Sequence, residues 1–171
     1  MKHPFAALAR ELTARSVRYV LIGVSGANLY APSGQAVFAT EDFDLFLPPD
    51  PDNLLAAWSA CEAAGLELFS GREPLDQPRD RWLAERVVER RAQTRASGPE
   101  GLAVDLTLVM KGYDFPAVWR EHRRFEIVGA EIAVARLLHI VTSKHATGRD
   151  KDRLFLATHR EALEQLLRRD E

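Results

Sequence analysis

Asp42 and Asp44 stand two residues apart in ATEDFDLFL, a stretch that otherwise has the apolar density of a buried strand. Side chains alternate across a strand, so Phe43, Leu45 and Leu47 turn to one face and the two carboxylates project together from the other. Two acids one repeat apart repel each other unless water or a cation lies between them. A hard divalent ion such as Mg2+ removes that conflict, because it takes carboxylate oxygens and keeps water ligands that a phosphate can replace. LAVDLTLV, 102–109, offers a third acid: Val104, Leu106 and Leu108 share one face and leave Asp105 on the opposite one. If the two strands are neighbours, three carboxylates share a surface. That arrangement can hold two metals about 3.5 to 4 Å apart for in-line phosphoryl or nucleotidyl transfer. The plain alternative is a solvated acidic face, which half-exposed sheets commonly carry.

A second feature lies upstream. RYVLIG, 18–23, reads as a short buried strand, and the small residues Gly23, Ser25, Gly26 and Ala27 suit a tight turn into a short helix over VSGANLYA. Amides at a helix N-terminus attract phosphate and the Ser25 hydroxyl would add a donor, although a merely compact turn has the same composition. A third feature is LLHIVTSKHATGRDKDR, in which Leu137, Ile140, Val141 and Lys144 fall on one helical face. A lysine that ends an apolar stripe either snorkels to water or meets an anionic ligand or a carboxylate. Arg149 and Lys151 follow directly.

The elements that must position these residues follow from periodicity and punctuation. Phe5, Leu8 and Leu12 mark one face of a first helix. APSGQAVFA is a loop or a poorly formed edge before the acidic strand, which Pro48, Pro49 and Pro51 end. Asp52 or Asn53 is the expected cap of a helix reaching about residue 64, with Leu54, Trp58 and Cys61 inward. A third strand takes 66–69, and GREPLDQP is a loop. Residues 79–90 are helical with Leu83 and Val87 inward, while Arg81 and Glu85 pair on a solvated face. RAQTRAS, the turn GPEG and 102–109 make a hairpin. Then come YDFPAVW, with Tyr113, Phe115 and Trp119 read as exposed aromatics, a hairpin about Val128 and Gly129, and two C-terminal helices broken near Gly148. Strands mixed with helices predict an α/β (α+β) fold, a partly antiparallel mixed sheet flanked by helices.

A chain of 171 residues suits one domain that buries roughly two thirds of its unfolded surface. With 46% hydrophobic and 28% charged residues it has an ordinary globular balance. No apolar run approaches the roughly 20 residues that span a bilayer, and MKHPFAALARELTAR is unlike a signal peptide. A cytoplasmic protein with no membrane partner is expected, and the lone Cys61, which has no internal partner, agrees. A net charge of −2 gives no general pull toward nucleic acid; were one bound, the arginine-rich segment 79–95 and residues 122–124 would grip it. His3, His122, His139, His145 and His159 lack a ligand spacing and are read as surface or packing residues.

Taken jointly, the strand that ends in Gly23 among small residues, the acid-x-acid strand introduced by Thr40 (TEDFD), the later single Asp105 (VDLTLV) and the lysine helix followed by GRDKD resemble the nucleotidyltransferase superfamily. The chain looks most like its small bacterial members, the minimal nucleotidyltransferases and the nucleotidyltransferase toxins of type IV toxin-antitoxin systems. The resemblance runs from about residue 18 to about 152 and implies a single domain over 1–171, with a core near 18–110 and a C-terminal helical part near 135–168. It implies two Mg2+ ions on Asp42, Asp44 and Asp105, with Asp105 also helping to deprotonate the attacking hydroxyl. Gly23, Ser25 and Thr40 would line the nucleotide site, and Lys144 would contact phosphate or brace it. The implied substrates are an NTP, with ATP the first expectation, and a hydroxyl acceptor; a cognate protein partner would follow from a toxin-antitoxin role. In the family's pattern Gly is followed directly by Gly or Ser, whereas Val24 intervenes here. A nonenzymatic nucleotide- or partner-binding module of the same fold therefore stays open. GVSGA also mimics the nucleophile elbow of serine hydrolases, but only 24 residues precede Ser25, too few for the upstream strands and oxyanion loop.

Overall fold

The computed structural model describes residues 3–32, 38, 40, 42–98 and 100–171. Period-2 segments build one sheet from β1 (Val20–Ile22), β2 (Asp42–Phe46), β3 (Glu67–Ser70), β4 (Glu73–Pro74), β5 (Thr94–Ser97), β6 (Ala103–Thr107), β7 (Arg123–Ile127) and β8 (Ala130–Val134). Its order is β4-β3-β5-β6-β2-β1-β8-β7. β2 runs parallel to β6 and β1 parallel to β8, and the other neighbours are antiparallel. The fold is the expected mixed α/β one.

One face of the sheet is sealed. Leu21, Leu45, Val104, Leu106, Ala96 and Leu68 turn to it and are buried. α1 (Ala6–Ala14) reaches it through Phe5, which stacks on Phe43 at 5.3 Å, and α3 (Pro51–Ala63) through Trp58, whose indole donates to Thr94 Oγ1 at 3.1 Å. α4 (Arg81–Glu89) packs on α3. The opposite face is covered only in part. α2 (Gly23–Asn28) packs on β1 and β2 and α6 (Leu137–Thr147) on α2, α5 (Phe115–Arg120) reaches Phe46 through Phe115 at 5.4 Å, and α7 (Asp150–Thr158) and α8 (Arg160–Arg169) pack on α6.

Local chemistry corrects several boundaries. Asp50, not Asp52 or Asn53, caps α3: its carboxylate accepts from the Asp52 amide at 3.0 Å, and Pro51 takes the first helical position, where its missing N–H costs nothing. Asn53 instead bridges to the Arg18 backbone, accepting from its amide and donating to its carbonyl. GREPLDQP contains β4, a short edge strand in which Pro74 is tolerated because no neighbour lies beyond it. The C-terminal region holds three helices rather than two. Gly148, at φ +63°, ends α6 as expected, but a second break falls at His159 between α7 and α8. Phe115 is a core residue stacked on Trp119, and Tyr113 and Trp119 are half-buried. Of the expected loop over 31–39, residues 33–37 and 39 lie outside the described residues. No helix among the described residues is long and apolar enough to cross a membrane.

Candidate functional site

Register carries the site. The β2–β6 pairing sets Asp44 beside Asp105 and Asp42 beside Ala103, while β1 places Ile22 opposite Asp44. Paired residues in a sheet point to the same face, and neighbouring strands lie about 4.8 Å apart, so the three carboxylates share one patch of the open face. β5 adds a residue that the sequence reading did not assign to the site. Arg95 pairs with Asp105, donating from Nη1 to Asp105 Oδ1 at 2.8 Å and from Nη2 to Asp42 Oδ1 at 3.2 Å. Folding the hairpin about GPEG sets Ser97 against Ala103 and Arg95 against Asp105, and this register was the available signal for it.

Among the described residues, Asp44 is the one of the three carboxylates that makes no ion pair. Burial, then the charges of Asp105 and Asp42, push its carboxyl from 3.8 up to about 6, and Lys144 and Lys151 offset only part of that. Its backbone is held by Ser25, whose hydroxyl accepts from the Asp44 amide at 3.4 Å and donates to the Ile22 carbonyl at 3.2 Å. Ser25 is 3% exposed, so its hydroxyl braces β2 from inside and meets no histidine. Gly23 is required by its surroundings. Its φ is +69°, and a Cβ there would lie 2.6 Å from Asp44 Oδ2. Thr40 donates to the Asp42 carbonyl at 3.2 Å and is exposed beside the entrance to β2.

Lys144 meets a carboxylate. Its ammonium lies 3.1 Å from Asp152 Oδ1 and 4.9 Å from the centre of the Phe155 ring. Asp152 is buried, which by itself would raise its pKa, but hydrogen bonds from Thr147, Arg149 and Lys144 outweigh that and hold it at about 2. The GRDKD segment thus ties the end of α6 to the start of α7, with Lys144 and Lys151 placed to act on Asp44 electrostatically. His139 is buried, pairs with Glu121 at 3.3 Å and packs against Tyr113, apart from the carboxylates.

The donor set is chemically suited to a hard cation, being all oxygen and on one face, with the Asp44 carboxyl raised by burial and then by the charges of Asp105 and Asp42. As they stand, no three His, Cys, Asp or Glu groups among the described residues converge tightly enough to hold a metal, and the Arg95 guanidinium lies between two of the three aspartates. Neither a scan against protein-family models nor a search of curated proteins finds a match for this chain.

Proposed function

We propose that this chain is a Mg2+-dependent nucleotidyltransferase that moves a nucleoside monophosphate from an NTP, ATP first, to a hydroxyl on RNA, a protein or a small molecule. The observation that carries the reading is the register that sets Asp44 beside Asp105, with Asp42 one repeat away, on an open sheet face next to the Gly23 turn. Asp42, Asp44 and Asp105 are the residues that would hold Mg2+. Once bound, the ions supply charge stabilisation to the phosphoryl group in flight.

The chain's own groups do the rest. Asp105 takes the proton from the acceptor hydroxyl, the acceptor oxygen bonds to the α-phosphorus, and the bond from that phosphorus to the departing pyrophosphate breaks. Gly23 keeps the space beside Asp44 clear of a side chain, and Ser25 fixes the height of Asp44 on the sheet through its amide. Lys144, locked by Asp152, holds further positive charge near the carboxylate patch. Incubation with α-phosphate-labelled NTPs, Mg2+ and fractionated cell extract tests the reading. Label should move to one class of acceptor and should stay on the nucleotide when Asp42, Asp44 or Asp105 is changed to Asn.

A second reading has one observation in its favour. The Ser25 hydroxyl is spent on Ile22 and Asp44 instead of facing the opening, which suits a fold-sharing module that binds a nucleotide or a protein partner without transferring anything. Metal-dependent nucleotide binding with no label transfer to any fraction would favour it.

A further inference from the structure

Arg95 is more than a neighbour of the site. Its guanidinium uses one oxygen of each of two carboxylates, Oδ1 of Asp105 and Oδ1 of Asp42, and these are two of the three groups that the proposed function requires for Mg2+. A guanidinium cannot lose its proton in a protein, so it remains a full positive charge wherever it sits. We infer that Arg95 is a positioning residue that acts as a built-in counterion: it keeps Asp42 and Asp105 aligned while no metal is bound and must swing away before a divalent cation can draw the three carboxylates together.

Three observations support a movable rather than a permanent bridge. The Arg95 side chain is 38% exposed and Asp42 is 47% exposed, so the Asp42 half of the bridge is near solvent and inexpensive to open. The bridge to Asp42 is also the longer one, 3.2 Å against 2.8 Å to Asp105, which is itself only 14% exposed. Arg95 can therefore release Asp42 while remaining near Asp105. On β3 the residue opposite Arg95 is Phe69, so no acidic side chain directly opposite on that strand holds it in place.

This inference rests on the metal-binding reading above, and Mn2+ affinity separates the two. Binding of Mn2+ alone, measured by paramagnetic resonance without nucleotide, is compared in the unaltered chain, Arg95→Gln, Arg95→Lys and Asp44→Asn. Removing one unit of positive charge a few ångströms from the ion should tighten Mn2+ binding about tenfold in Arg95→Gln. Arg95→Lys, which keeps the charge but cannot span both carboxylates with a rigid fork, should fall between. The melting temperature without metal should drop in Arg95→Gln while its Mn2+-induced rise grows, which a purely structural arginine would not produce. Unchanged or weaker Mn2+ binding in Arg95→Gln, with binding in the unaltered chain abolished by Asp44→Asn, overturns the counterion role and leaves the metal site standing. Absence of Mn2+ binding in both the unaltered chain and Arg95→Gln overturns both.

Discussion

At the scale of single residues, the site is held in an electrostatically unfavourable state. Asp44 ionises at about 6 in the folded chain against 3.8 ordinarily, because burial, Asp105 and Asp42 all oppose its charge. The folded state then binds this proton more tightly than the unfolded chain does, so stability falls as pH rises from about 4 to about 6 and the penalty persists above that range. Asp44→Asn removes the penalty. Urea denaturation of the metal-free protein at pH 7 should show the variant more stable by about 2 kcal/mol, and the slope of stability between pH 4 and 6 should flatten. The same variant should lose nucleotide transfer, an exchange of function for stability expected of a strained site. Gly23 supplies a second case. Gly23→Ala forces a side chain into left-handed backbone, at a cost of about 1 to 2 kcal/mol, and pushes on the Asp44 carboxylate. Its melting temperature should fall, and its Mg2+ requirement should shift to higher concentration.

At the scale of elements, the join between α6 and α7 depends on one buried acid. Asp152 is fixed by Lys144, Thr147 and Arg149, so its folded pKa lies below the unfolded value. Its contribution is full above about 4 and is lost as pH falls through about 2. Asp152→Ala leaves Lys144 without its partner in a mostly buried position and should cost roughly 3 kcal/mol. Amide exchange in α6 and α7 should accelerate more than in the sheet. The sequence made some of this legible and hid the rest for physical reasons. The alternation in DFDLF and in AVDLT fixed which way the acids point, because a one-residue slip would expose Leu45 and Leu106. GRDKD drew attention to Lys144 as a helix-end cation but not to Asp152 as its partner, since the contact spans the turn at Gly148. Arg95 ends the arginine-rich segment 79–95, and its role stays hidden there because it depends on hairpin register, not on local pattern. The break at His159 carries no glycine or proline, so nothing local announced it.

At the scale of the molecule, the sheet is asymmetric. Its sealed face carries the helices that make it stable, and its other face leaves the β2, β6 and β5 carboxylates and arginine partly open. A bound cation would join β2 to β6 through side chains as well as backbone, so Mg2+ should raise the melting temperature of the whole domain, and the rise should vanish in Asp42→Asn and Asp44→Asn. The measurement that bears most directly on the central claim is calorimetric titration with a nonhydrolysable ATP analogue in the presence and absence of Mg2+. Binding should require Mg2+ and be lost when Asp44 is changed to Asn in a chain that still melts cooperatively. Absence of binding by any NTP analogue with Mg2+ present, or binding that needs no metal and is indifferent to Asp42 and Asp44, would contradict it.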